Sequence, residues 1–244
     1  MGDRLLDFYH KADKVGGLPA KIRLAVLSKS SSSKAKSMED SAYNIQNMQK
    51  SFDIINREFN EASTSSVSNT TTKDTVDSLR KYISAFSDMF LFQAEDHNLK
   101  TSAQQITVKI AESINVNRAS IWLYNEDRSG VVCLNLYQQD KKTHSEGAIL
   151  TKVAFPKYFK ILESNRTLAA DDAHTHYGTA EFSEVYLTPL GITSMLDVPI
   201  FAKGKMVGLI CHEHTGPKRK WNSDEENFAY LMSSILGKIL EHRA

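Results

Sequence analysis

Two carboxylates stand in stretches where acidic residues are unusual. Asp197 sits in 194–200 (SMLDVPI) and Glu213 in 205–214 (KMVGLICHEH), both apolar runs that read as β-strands. Strand side chains two apart share a face, so Met195, Asp197 and Pro199 point one way, and Cys211 shares a face with Glu213. Carboxylates on adjacent strands could converge on a cationic or hydrogen-bond-donating ligand, or act as an acid and base pair. The plainer alternative is that each only satisfies backbone groups. No activated nucleophile accompanies the pair, so binding is expected, with no catalytic residues.

The remaining reactive side chains fit ordinary roles better. His212 and His214 form one i, i+2 pair and His174 and His176 another, but zinc needs three or four convergent ligands, so no metal site is expected. Cys211, alone in a predicted strand, reads as an inert buried thiol rather than a redox sensor. The basic run at 217–220 reads as a solvated loop rather than a phosphate contact, and no glycine-rich phosphate loop is present.

Composition narrows the setting. The 30 Lys and Arg nearly cancel the 29 Asp and Glu, which removes any global field for nucleic acid or an acidic membrane. Two cysteines outside any CxxC spacing suit a reducing cytoplasm, and no apolar run approaches the roughly 18 residues of a membrane span. A soluble, cytoplasmic protein is expected.

The elements that would carry the site follow from periodicity. Residues 1–100 read as a helical region: short helices to about 28, a Ser/Lys-rich connector, and two seams. One seam is Ile45, Met48, Phe52, Ile55 and Phe59; the other is Val76, Leu79, Ile83, Phe86 and Phe90, behind an Asp74 N-cap. A Ser/Thr-rich link near 63–73 separates them. From 101 to 244 the pattern predicts a helix over 102–114, then strands over 119–124 and 131–137. A third strand lies near 147–153, a short helix over 155–163, and a strand at 167–170. An irregular segment leads to the two strands bearing Asp197 and Glu213. A final helix, capped by Asn222 or Ser223, buries Phe228, Leu231, Ile235 and Ile239. That order fits an α+β layout.

The stretch 117–241 resembles the GAF family of bacterial sensor histidine kinases and diguanylate cyclases. The likeness rests on Phe182, Tyr186-Leu187, Pro189, Gly191-Ile192, the run 194–200, Gly208, Cys211, Glu213-His214, Trp221 and Glu225. It implies a GAF/PAS-like six-stranded antiparallel sheet with helices on one face. On the other face it implies a ligand cavity roofed by 171–192 and lined by Phe182, Tyr186, Met195, Asp197, Cys211 and Glu213. The same segment is similar to the chromophore-binding GAF domain of phytochromes. Glu184 occupies the place of the thioether cysteine of the plant and cyanobacterial type, and Glu213 that of a chromophore-contacting histidine, so no covalent bilin or other cofactor is expected. Methionine sulfoxide reductases of this fold use several cysteines around the cavity, which two cysteines cannot reproduce.

The resemblance thus implies a regulatory sensor in signal transduction, not an enzyme. It would bind a small-molecule ligand, dimerise through its helices as a homodimer, and pass the signal to a separate output protein such as a kinase or cyclase. No output motif occurs in the chain. The competing expectation is a structural or dimerisation module whose cavity is filled by its own side chains.

Overall fold

The computed structural model describes residues 70–93, 98–164 and 167–243. The chain divides between residues 94 and 95 into two units, each taken by itself. In the first, α1 spans Thr70–Gln93. It starts four residues before the expected cap at Asp74, so 70–73 are helical rather than part of a link. Its buried stripe is Leu79, Tyr82, Ala85 and Met89, with Ile83 and Phe86 only half-buried. The seam at 45–59 and the elements expected over 1–37 lie outside the described residues.

The second unit is an antiparallel sheet with helices on one face and a roof on the other. Helix α2 (Leu99–Ile114) leads into β1 (Arg118–Tyr124) and β2 (Gly130–Gln138). Next come β3 (Thr143–Ser145), β4 (Ile149–Thr151), α3 (Pro156–Ser164) and β5 (Leu168–Ala170). After the roof, 171–191, come β6 (Ile192–Ala202), β7 (Lys205–Thr215) and α5 (Ser223–Arg243). The order across the sheet is β3-β2-β1-β7-β6-β5, with β4 also on β2. Seven strands therefore occupy six positions, because β4, within the expected 147–153 strand, shares the edge of β2 with β3, a short strand at 143–145 that the sequence pattern did not mark. The roof was expected to be irregular, but 180–190 is helical: a 3-10 turn (Ala180–Phe182), a π turn (Ser183–Leu187) and one α turn, α4 (Thr188–Leu190). Gly191, at φ 64°, closes that run in the left-handed region that glycine enters without strain.

Local chemistry explains the helix boundaries. Asn98 caps α2, its Oδ1 accepting from the Thr101 amide at 2.8 Å. Asn98→Ala should lower stability by about 1 kcal/mol, read by urea denaturation; an unchanged midpoint would remove the cap from the account. At α5, Asn222 Oδ1 accepts from the amides of Asp224 and Glu225, and Glu225 returns a bond to the Asn222 amide. The buried face of α5 is Phe228, Ala229, Met232, Leu236 and Ile239, while Leu231 and Ile235 are half-buried. No helix among the described residues is long and apolar enough to cross a membrane.

One irregularity in β2 decides what faces the site. The β1–β2 register shifts so that Ile121 pairs Asn135 while Trp122 pairs Cys133, leaving Leu134 as a bulge residue. Before it, Val131 and Cys133 join the core under the roof; after it, Leu136 does, and Asn135 accepts from Thr107 of α2. Gly208 is fixed by the neighbouring crossing, where a Cβ would come 2.0 Å from the Trp122 carbonyl oxygen.

Candidate functional site

Strand pairing sets the site in rungs across three strands. One rung holds Arg118, Glu213 and Met195; the next holds Ser120, Cys211 and Asp197. Alternation puts both rungs on the face under the roof, and the apolar core there joins Trp122, Tyr158, Phe182, Met195, Leu209 and Cys211, with Tyr186 packed against it. All six expected lining residues, Phe182, Tyr186, Met195, Asp197, Cys211 and Glu213, are thus brought together.

The two carboxylates have different surroundings. Glu213 is closed off: Arg118 Nε donates to Oε2 at 2.6 Å and the Tyr186 hydroxyl donates to Oε1 at 2.7 Å. Arg118 Nη2 also reaches the Tyr186 oxygen at 3.3 Å, completing a triangle. Asp197 is fully buried yet half-satisfied, since the Tyr158 hydroxyl donates to Oδ2 at 2.7 Å while Oδ1 has no hydrogen-bond partner. Burial pushes its carboxyl up to about 7, the Tyr158 bond opposes this and the nearby Glu213 charge adds to it. The Cys211 thiol and His212 amide lower it slightly, though neither meets hydrogen-bond geometry with Oδ1. A buried acceptor without a donor is costly, which makes Oδ1 the open valence of the site.

The other walls are aromatic. Phe182 stacks on Phe155 with centroids 4.2 Å apart and meets Tyr158 edge-on at 4.8 Å. Tyr158 comes from α3, whose first amides, at Lys157 and Tyr158, donate to Glu181 of the roof. Cys211 Sγ lies 3.9 Å from the Tyr158 hydroxyl, and burial first, then the Asp197 charge, holds its thiol well above the usual range. Burial likewise pushes Cys133 up to about 12. Neither thiol is poised as a nucleophile.

His212, His174 and the basic loop have structural partners, while the buried Nδ1 of His214 has no hydrogen-bond partner. His212 points to the other face, where Nδ1 engages the Leu196 carbonyl at 2.6 Å; Nε2 has no partner and burial pushes the ring down to about 4. His174 bridges Ser183 and the Ile192 carbonyl within the roof. Among the described residues no group of three or more potential metal ligands occurs. Lys218 pairs with Asp172, and Arg219 pairs with Glu225 while donating to the carbonyls of Ile114 and Asn115.

Sequence reasoning missed Arg118 and Tyr158. Arg118 was legible only as a cation opening an apolar strand, and its partner lies 95 residues away. Tyr158 lies within the helix expected over 155–163, where periodicity marks burial and says nothing of what its hydroxyl meets.

A sequence profile described as "GAF domain" matches residues 98–240. The fold is similar to the phycocyanobilin-bound GAF domain of a cyanobacterial phytochrome: TM-score 0.57, 15% identity, covering 66% of this chain and 94% of that one. It is also similar to the GAF domain of an Acinetobacter phosphoenolpyruvate-protein phosphotransferase, with TM-score 0.52, 14% identity, and coverage of 67% and 92%. The corresponding domain from Coxiella burnetii gives 0.52, 15%, 66% and 94%. No curated protein matches the sequence.

Proposed function

This chain belongs to the GAF domain family, whose members typically serve as sensory or ligand-binding regulatory domains in signalling, and on that premise we propose that its roofed face binds a small molecule at Asp197. The observation that carries the reading is the buried, unpartnered Oδ1 of Asp197. A ligand presenting an N–H or cationic group would supply the missing donor, while Tyr158, Phe182, Met195 and Trp122 would hold an apolar body. Glu213, with both oxygens engaged, shapes the site through Arg118 and Tyr186 rather than meeting the ligand first. The site is read as binding rather than catalysing, because burial holds both of its thiols protonated.

The bound state passes to helices α2 and α5, which cover the opposite face of the sheet. A homodimer assembled through helices hands it to a separate output protein, such as a kinase or cyclase, in the cytoplasm. Glu184 is an exposed residue of the π turn and offers no thiol, so no bilin would be attached at that position.

Native mass spectrometry of protein purified from its own host tests the reading. A retained small molecule is expected, and Asp197→Ala should weaken its binding about tenfold or more. The alternative is an assembly module with a filled interior. It is favoured by the closed Arg118, Glu213 and Tyr186 triangle and by the stacking of Phe155 on Phe182. Protein that carries no bound mass, and whose Asp197→Ala variant is simply more stable, would establish that alternative.

A further inference from the structure

The roof covers Asp197, so whatever reaches its free oxygen must pass the roof. Among the described residues, Tyr186 is the one member of 183–190 whose side chain hydrogen-bonds to the sheet, donating to Glu213 and accepting from Arg118. Ser183 bonds only within the roof, to His174. Glu184, Thr188, Pro189 and Leu190 are exposed, as is Val185, while Leu187 is the buried apolar anchor. The backbone here is a π turn, a wide turn that recurs at functional sites.

The triangle is asymmetric in what it costs to open. If the Tyr186 hydroxyl leaves, Arg118 and Glu213 remain paired at 2.6 Å, so no buried charge is stranded. The hydroxyl itself gains water in exchange. Breaking the ion pair strands a buried charge, whereas releasing the phenol leaves one Glu213 oxygen without a donor, which is the smaller cost.

We infer that Tyr186 is a latch on the roof: closed on Glu213 and Arg118 it seals the interior, and released it lets 183–190 lift and admit a ligand to Asp197. What enters rests on the ligand-binding reading above; the latch belongs to the protein without ligand. Tyr186 is a positioning residue, acting through the roof segment.

The chain carries its own reporter. Cys211 is buried beneath the roof, so its modification by N-ethylmaleimide reads access to the interior, and peptide mapping separates it from Cys133. Tyr186→Phe keeps the ring and removes the bonds. It should speed Cys211 labelling roughly 10- to 100-fold, with faster amide hydrogen exchange at 183–190 and unchanged protection in β1, β6 and β7. Tyr177→Phe, which alters an exposed roof tyrosine, should leave the rates alone. Labelling of Tyr186→Phe at the wild-type rate overturns the latch. So does a faster rate matched by equal loss of protection across the sheet, since that is global unfolding. No ligand is present in this experiment, so accelerated labelling in a protein that retains no small molecule keeps the latch and sinks the sensor reading alone.

Discussion

Arg118→Met is expected to cost the GAF domain about 3 to 5 kcal/mol, lowering its melting temperature by about 10 °C. Arg118 and Glu213 are cross-strand neighbours on β1 and β7, with side chains 9% and 2% exposed. Removing the cation leaves Glu213 in an apolar core with the Tyr186 hydroxyl as its remaining donor. The carboxylate must then stay ionised at high cost or take a proton, so the loss should be larger at pH 8 than at pH 5. Arg118→Met with Glu213→Leu removes both charges and should regain most of the stability, because well-packed apolar replacements of buried pairs are often neutral. Chemical denaturation at the two pH values reads the outcome. A single variant as stable as the wild type would mean the pair is hydrated, and the triangle would lose its structural role.

The second expected result is a hidden pH dependence. Asp197 holds its proton up to about 7 in the folded chain against an ordinary 3.8, and His212 stays neutral down to about 4 against 6.5. As pH rises from 4 to 7 the unfolded chain ionises its Asp197 and the native state does not, so stability falls by on the order of 4 kcal/mol. As pH falls from 6.5 to 4 the unfolded chain protonates its His212 and the native state does not, so stability falls by roughly 3 kcal/mol in the opposite direction. The two slopes cancel over their shared window, and each is unmasked by removing the other group. Relative to wild type, Asp197→Asn should gain stability as pH rises from 4 to 7. His212→Gln should gain as pH falls from 6.5 to 4. Taking differences from wild type removes the contribution of carboxylates whose pKa is lowered, such as Glu163 and Asp172. Variant and wild-type profiles that run parallel would mean that neither group keeps the protonation state assigned to it.

Much of the site was legible because strands repeat every two residues. Asp197 and Met195, and Cys211 and Glu213, fall on the roofed face by counting alone, and the family resemblance added Phe182 and Tyr186. Legibility ended where local counting fails. The Leu134 bulge reverses which residues of β2 face the roof, and nothing in VVCLNLY marks the reversal. In α1 and α5 side-chain size does not sort the buried residues from the half-buried ones. Tyr82, Ala85, Ala229 and Met232 go inside while Ile83, Leu231 and Ile235 are half-exposed. Small or amphipathic side chains suit the tight helix faces, and a count of large hydrophobics cannot register that. The role of Arg118 required knowing that β1 neighbours β7.

That adjacency also fixes a sequence of events. Strand β1 lies between β2, which follows it within a few residues, and β7, which begins at Lys205. A ribosome making this chain at about 5 to 20 residues per second emits α2, β1 and β2 several seconds before β7 exists. Through that interval the inner edge of β1 has no partner, and Ile121 and Trp122 lack the strand that buries them. Closing the sheet then pairs residues 85 (Leu123 with Gly208) to 95 (Arg118 with Glu213) apart in sequence, distant contacts of the kind that slow folding. The nascent domain is therefore most open to misassociation in the stretch of translation that makes α3, β5 and the roof, and the last hairpin made completes its centre rather than its margin.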